Sequence, residues 1–138
     1  YGLAGLRIGY GIAGEKLVKI LAKNQILRSI NLLGEKAAEA ALDDVEYINH
    51  SASYNSKERA YLFNELKQLG FVVNESQANF QYLLFQDNEQ KNNVYETLEK
   101  DGLMVCDLEI FGQEKSLRIT IGQSETNQRI IDCLSQIK

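Results

Sequence analysis

The spacing of apolar positions along this chain changes character near residue 70. Before that point apolar residues recur at every third or fourth position, which is typical of helices that face a core. The pattern predicts a short helix opening at residue 15, a second with many small residues from 35 to about 53, and a third from about 56 to 69. On the third, Glu58 is expected to stay in solvent. Gly70 is expected to end it in a left-handed cap.

After residue 70, short apolar runs with β-branched and aromatic residues predict strands instead of helices. A helix from 90 to 101, capped by Gly102, interrupts these runs, and a last helix follows them with Ser124 as its expected N-cap. The first two strands are expected to be adjacent and joined by a turn at 74–77. The predicted strands are 71–73, 79–85, 103–106 and 116–122.

The first ten residues place one arginine among three glycines, in the order Tyr-Gly-Leu-Ala-Gly-Leu-Arg-Ile-Gly-Tyr. Gly2 and Gly5 favour a tight entry into a short strand over residues 6–10, because glycine accepts positive φ and close approach. The planar guanidinium of Arg7 suits a phosphate or carboxylate, and neighbouring amides would add donors. A solvated arginine on a surface strand is the alternative, and spacing alone does not separate the two.

Charge and cysteine content narrow the possible partners and the compartment. The net charge of −4 and the absence of a basic stripe argue against nucleic acid and anionic membrane as partners. Cys106 and Cys133 lack the spacing of a zinc site or a disulfide framework, so free buried thiols in a cytoplasmic protein are expected. His50, the single histidine, has no second metal ligand nearby, so no functional role is expected for it.

Residues 2–10 closely resemble the segment that follows the Schiff-base lysine in fold-type I pyridoxal-phosphate aminotransferases, most of all the histidinol-phosphate aminotransferases. The family pattern is Ser-Lys-x-Tyr/Phe-Gly-Leu-x-Gly-Leu-Arg, and its arginine grips the cofactor phosphate. Arg7 matches that arginine, so the resemblance implies a cofactor-binding role for Arg7. It also implies that the catalytic lysine lies two residues before Tyr1, so no catalytic residue is expected within this chain and the isolated chain is expected to be inactive.

A second motif, Leu-Arg-Ile-Thr-Ile-Gly at residues 117–122, resembles the ending of the histidinol-phosphate aminotransferases. On a strand, Arg118 would share a polar face with Thr120, where most arginines are simply solvated. In the family this arginine binds the anionic end of the substrate, and the resemblance implies the same role for Arg118. Looser matches are Ser-Gln-Ala-Asn-Phe at 76–80 and the pair Arg28 and Asn31, which resembles a usual Arg-x-Pro-Phe-Asn connection with one residue fewer between Arg and Asn.

Three departures from the family pattern bear on the substrate. Glu75 stands where proline is usual, and Ser29 and Ile30 replace a usual Pro-Phe pair. Cys106 stands where many histidinol-phosphate enzymes have a second arginine, and its loss would reduce selectivity for a phosphate over a carboxylate. Two alternatives therefore stay open: another class I/II aminotransferase, such as one for aromatic amino acids, or a non-catalytic aminotransferase-like ligand-sensing domain. A small interaction domain that shares only the fold is disfavoured by the paired end motifs.

The resemblance covers essentially the whole chain and implies an α/β architecture. Residues 1–52 would be the tail of the large cofactor-binding domain, and residues 53–138 a small C-terminal domain with a mostly antiparallel sheet packed by helices. The longer protein would use pyridoxal phosphate to transfer the amino group of histidinol phosphate to 2-oxoglutarate in histidine biosynthesis. Its partners would be a small-molecule amino donor and a 2-oxo acid, and it would be a homodimer.

Overall fold

The computed structural model describes residues 1–26 and 30–137, so Arg28, which was matched to a family connection above, lies outside the described residues. The chain divides into two compact units, Tyr1–Ser51 and Ala52–Lys138. The assignment of the first unit to a large cofactor domain and of the second to a small domain stays a prediction.

The first unit contains a short 3-10 helix, Ala4–Leu6, then helices α1, Glu15–Lys23, and α2, Leu32–Asp43. The strand predicted over residues 6–10 is wrong. A strand exists only where its N–H and C=O groups pair with a neighbouring strand, and no strand of the described chain pairs with residues 6–10. Periodicity alone could not reveal the missing partner.

The helix boundaries between residues 31 and 56 differ from those predicted. Helix α2 begins before the expected start at 35, because Asn31 Oδ1 accepts a hydrogen bond from the Gly34 N–H at 2.6 Å and caps the helix there. Helix α3, Val45–Gln68, then runs without a break from the last part of the second predicted helix through the third. Asp44 separates the two helices, since its side chain accepts from the Tyr47 N–H at 3.0 Å. His50 therefore lies within α3.

The second unit is a four-stranded sheet with helices, and it confirms the predicted α/β fold class. The strand order is β1-β2-β4-β3, and each neighbouring pair is antiparallel. Helix α4, Asn88–Lys100, follows β2, and helix α5, Ser124–Leu134, follows β4. The third predicted strand, 103–106, begins later than expected, because residues 103–105 precede the residues that pair with β4. The strands are β1, Val72–Asn74; β2, Phe80–Leu84; β3, Cys106–Asp107; and β4, Ser116–Thr120.

The register of the sheet decides which side chains face the helices. Successive residues of a strand point to opposite faces, and Leu83 of β2 and Leu117 of β4 form a pair that is fully buried. The next row across the sheet, Tyr82, Arg118 and Cys106, therefore lies on the opposite face, which we call the open face. The apolar core on the helix side includes Leu62, Leu66, Leu83, Val94, Leu98, Leu117, Ile119, Ile130, Ile131 and Leu134.

Candidate anion-binding site

Arg7 lies in the first unit, directly after the 3-10 turn. Its backbone is left-handed, with φ 53° and ψ 42°, and no other non-glycine residue in the described ranges has a positive φ. Both its N–H and its Nη1 donate to the Ala4 carbonyl, each at 3.1 Å. A non-glycine residue in this conformation carries a strain of about 1–2 kcal/mol, and such strain is concentrated at ligand sites. The side chain is exposed, so its other donors are accessible to an anion.

The turn that carries Arg7 is held by two contacts within the first unit. Asn31 Nδ2 donates to the Leu6 carbonyl at 3.0 Å, so the residue that caps α2 also holds the turn. Gly2 has φ 67°, and a Cβ built on it would lie 2.8 Å from the Tyr47 hydroxyl oxygen. Glycine at position 2 therefore permits both the backbone angle and the close approach of Tyr47.

Arg118 lies in the second unit, at the centre of β4, between Tyr82 of β2 and Cys106 of β3. The residue is half-buried, and its Nε atom is buried without a hydrogen-bond partner among the described residues. Its Cζ atom lies 5.4 Å from the centre of the Phe80 ring. An unpaired buried donor destabilises the protein by about 1–3 kcal/mol. An anion that accepts from Nε–H would remove this destabilisation.

The side chains next to Arg118 on the open face are uncharged. The Tyr82 hydroxyl lies 2.8 Å from Ser116 Oγ and 3.1 Å from Gln113 Oε1, and Cys106 Sγ lies 3.6 Å from the Asp107 carbonyl oxygen. Arg118 is therefore the single cation of its row. Of the two thiols expected to be buried, Cys106 is only half-buried, whereas Cys133 is buried, and burial is the main cause that raises the pKa of Cys133 to about 11.

A buried carboxylate ties α3 to the first turn of α5. Glu58 is 3% exposed, and its oxygens accept from Ser124 Oγ and Asn127 Nδ2, each at 2.7 Å. These hydrogen bonds, the one from Ser124 first, hold the pKa of Glu58 below its ordinary value. Asn127 Oδ1 in turn accepts from the Gly122 N–H at 2.9 Å. The network thus fixes the end of the motif that contains Arg118.

Two expectations from the sequence are wrong at this network. Glu58 was expected in solvent, but it stands four and eight residues before the buried Leu62 and Leu66, on the same helix face. That spacing was the signal that could have placed it inside. Ser124 was expected to cap α5, but its hydroxyl donates to Glu58, and the N-cap position belongs to Gln123.

Comparison with protein families decides the relationship that the motifs suggest. Residues 1–134 match the family model for aminotransferases of class I and II. The chain belongs to this family. Its relatives include the histidinol-phosphate aminotransferase of Nitratidesulfovibrio vulgaris, which is 34% identical over 137 residues that cover 99% of this chain and 36% of the relative. The histidinol-phosphate aminotransferase 2 of Oceanobacillus iheyensis is 38% identical, with coverage of 99% and 37%. The predicted resemblance is confirmed.

Solved structures of aminotransferases share the fold. A putative aminotransferase from Burkholderia pseudomallei superposes with a TM-score of 0.86 at 30% identity, covering 98% of this chain and 41% of its own. The histidinol-phosphate aminotransferase from Clostridium acetobutylicum gives 0.83 at 26% identity, with coverage of 99% and 42%. The chain thus spans little more than a third of the length of the curated aminotransferases that it matches. None of the helices in the described ranges is long and apolar enough to cross a membrane.

Proposed function

We propose that the protein containing this chain is a pyridoxal-phosphate-dependent histidinol-phosphate aminotransferase. It would convert histidinol phosphate and 2-oxoglutarate to imidazole acetol phosphate and glutamate in histidine biosynthesis. Family membership over residues 1–134 and the relatives of that name support this proposal. The observation that carries it is Arg118, a guanidinium on the open face of the sheet whose Nε–H is buried without an acceptor among the described residues.

Arg118 binds the anionic end of the substrate in this proposal. An anion that lies side-on against the guanidinium accepts from Nε–H and from one terminal N–H, and the two parallel bonds fix its orientation as well as its position. Orientation matters because amino transfer requires one C–H bond of the substrate to be aligned with the cofactor. The neutral neighbours Tyr82 and Cys106 leave the ion pair without a competing protein carboxylate in the row.

Arg7 holds the phosphate of pyridoxal phosphate in this proposal. The residue fits that role because its side chain is exposed and one of its two terminal nitrogens is already anchored on the Ala4 carbonyl. When bound, the cofactor supplies the electron sink of the reaction. The catalytic lysine, which would move the proton, is expected two residues before Tyr1. The residues of this chain therefore contribute binding and orientation.

The test compares two arginine substitutions in the longer protein that contains this chain. Arg118→Gln is expected to raise the KM for histidinol phosphate about 100-fold, because it removes the charge-assisted pair. Arg129→Gln is the matched control, since Arg129 donates to the Asp101 carbonyl and lies outside the sheet. Steady-state kinetics with both substrates give the answer. An unchanged KM in Arg118→Gln would remove this residue from the substrate site.

A second candidate is an aminotransferase for aromatic amino acids, and the row on the open face is the observation that favours it. Arg118 has the uncharged Cys106 on one side and the aromatic Tyr82 on the other, with Phe80 also near. A single guanidinium is sufficient for a carboxylate, whereas a phosphate dianion gains more from two cations. Competition between histidinol phosphate and phenylalanine as amino donors in the longer protein separates the candidates.

We further expect the longer protein to be a cytoplasmic homodimer, as the family resemblance implies. Light scattering of the purified protein tests the oligomeric state, and a mass of one protomer would contradict it.

A further inference from the structure

Phe80 and Arg118 are diagonal neighbours on the open face of the sheet. Phe80 of β2 pairs with Thr120 of β4, while Arg118 pairs with Tyr82, so both side chains project from the same face, two residues apart along the strands. The Arg118 Cζ lies 5.4 Å from the centre of the Phe80 ring, within the range of a cation–π contact. In this geometry the Phe80 ring limits the orientations that the Arg118 guanidinium can take.

The backbone holds Phe80 firmly enough for this purpose. Phe80 pairs with Thr120 of β4, and the carbonyl of the preceding Asn79 accepts from the Ile121 N–H at 2.9 Å. Phe80 is half-buried and carries no polar group, so its ring has no competing hydrogen bond. Tyr82, the direct neighbour of Arg118, differs because its hydroxyl bonds with Ser116 and Gln113.

Apart from the contact with Phe80, nothing in the described chain fixes the position of the Arg118 Nε. A long arginine side chain has many rotamers, and a hydrogen bond to a protein acceptor would normally select one. Within residues 1–26 and 30–137, Nε has no such bond. The contact with Phe80 is thus the specific interaction that the structure provides for the guanidinium, and it leaves the Nε–H donor unused.

We propose that Phe80 is a positioning residue for Arg118: its ring fixes the plane of the guanidinium and so the direction in which the N–H donors of Arg118 meet an anion. The anion-binding part rests on the function proposed above. The positioning part concerns the contact itself and is independent of which anion binds.

The test uses the Arg118 Nε–Hε resonance in ¹⁵N-labelled 138-residue chain, with inorganic phosphate as the probe. The resonance is assigned by its loss in Arg118→Lys. The wild type is expected to show it displaced by the ring current of Phe80 and shifted again by phosphate. Phe80→Leu should bring the resonance back towards the position of a solvated arginine and weaken phosphate binding about tenfold. Phe80→Tyr, which keeps the ring, should restore both properties.

Phe71→Leu is the matched control. The Phe71 ring lies edge-on to Phe85 at 6.4 Å and belongs to the core cluster, so this variant loses a ring elsewhere in the same unit. It should leave the Arg118 resonance in place. An unshifted resonance in Phe80→Leu, with backbone amide signals showing a folded chain, would overturn the positioning role. If phosphate fails to move the resonance in the wild type, anion binding by Arg118 is overturned instead, while the phosphate-free spectra still decide the role of Phe80.

Discussion

The Glu58 carboxylate is buried and charged, and the protein tolerates it because each oxygen accepts a strong hydrogen bond. A buried charge without partners is very costly, whereas one that accepts from two donors is stable in its ionised form. The donors come from Ser124 and Asn127 of α5, which are 66 and 69 residues away along the chain. A single side chain thus joins distant parts of the second unit.

The lowered pKa of Glu58 makes part of the stability dependent on pH. Because the folded state binds this proton more weakly than the unfolded state, the contribution is present above the ordinary carboxyl pKa of 4.5 and is lost as pH falls below it. Glu58→Gln should reduce the free energy of unfolding by about 2–4 kcal/mol at pH 7, because the amide nitrogen of the glutamine cannot accept the hydrogen bond that a carboxylate oxygen of Glu58 accepts. In urea titrations the difference from wild type should shrink at pH 3.5. The exposed Glu96→Gln is the control, and an equal loss at both pH values would contradict the prediction.

Arg7 offers a second test at this scale. In the longer protein, Arg7→Gln is expected to weaken pyridoxal-phosphate binding about 10- to 100-fold, because one charge-assisted contact to the phosphate is lost. The change is read from the cofactor absorbance in equilibrium titrations. Arg59→Gln serves as control, since Arg59 donates to the Ala78 carbonyl in the second unit. Equal cofactor affinity in Arg7→Gln and wild type would argue against the role.

At the scale of the elements, two glycines end helices as predicted. Gly70 after α3 and Gly102 after α4 have φ of 89° and 72°. In both cases the next residue donates back to the helix: the Phe71 N–H to the Leu66 carbonyl at 3.0 Å, and the Leu103 N–H to the Leu98 carbonyl at 2.9 Å. The bond closes the helix and turns the chain back towards the core, so these local signals set where the two helices end.

Gly70→Ala measures the cost of the left-handed angle alone, because a Cβ at this position would have no atom within 4 Å. We expect the free energy of unfolding to fall by about 1 kcal/mol. Gly122→Ala is the matched control, since its Cβ would make only ordinary contacts, the nearest at 3.5 Å, and its φ lies outside the left-handed region. Urea denaturation of both variants gives the comparison. A larger loss in the control than in Gly70→Ala would refute the explanation.

At the scale of the whole molecule, the two units differ in how much apolar surface they bury. Every residue of the buried core cluster lies between Leu62 and Leu134, in the second unit. In the described part of residues 1–51, only Gly34 is buried, and α1 leaves Leu17, Val18, Ile20 and Leu21 at least 47% exposed. Since burial of apolar surface is the main driving force of folding, the second unit holds most of the stability of this chain.

A shortened chain tests that distribution. Residues 45–138, which keep the whole of α3, are expected to unfold in one cooperative transition, with a midpoint in urea close to that of the 138-residue chain. Residues 1–44 alone are expected to show little helix by circular dichroism, because isolated helices of this length are marginal in water. The division would be incorrect if 45–138 failed to fold while the whole chain folded cooperatively.

Local signals of the sequence were sufficient for most of the second unit. The glycine caps, the alternation in β4 and the helices α4 and α5 follow from short-range preferences and hydrophobic periods. The break at Asp44 was missed, because the helical spacing of apolar residues continues across it from Ala41 and Leu42 to Val45 and Ile48, while one side-chain cap decides the start of α3. The alternation also placed Arg118 on the face opposite Leu117 and Ile119, and the motifs identified the family.

What the sequence determined by itself is therefore the glycine caps, the helices α4 and α5, the family, and the choice of Arg7 and Arg118 as candidate ligands. Only the tertiary structure decided that residues 6–10 form no strand, that Glu58 is buried, and that Phe80 lies against Arg118. The physical reason is shared by the three cases. A strand needs a partner, a buried charge needs donors, and a cation–π contact needs a register, and each of these comes from residues distant along the chain.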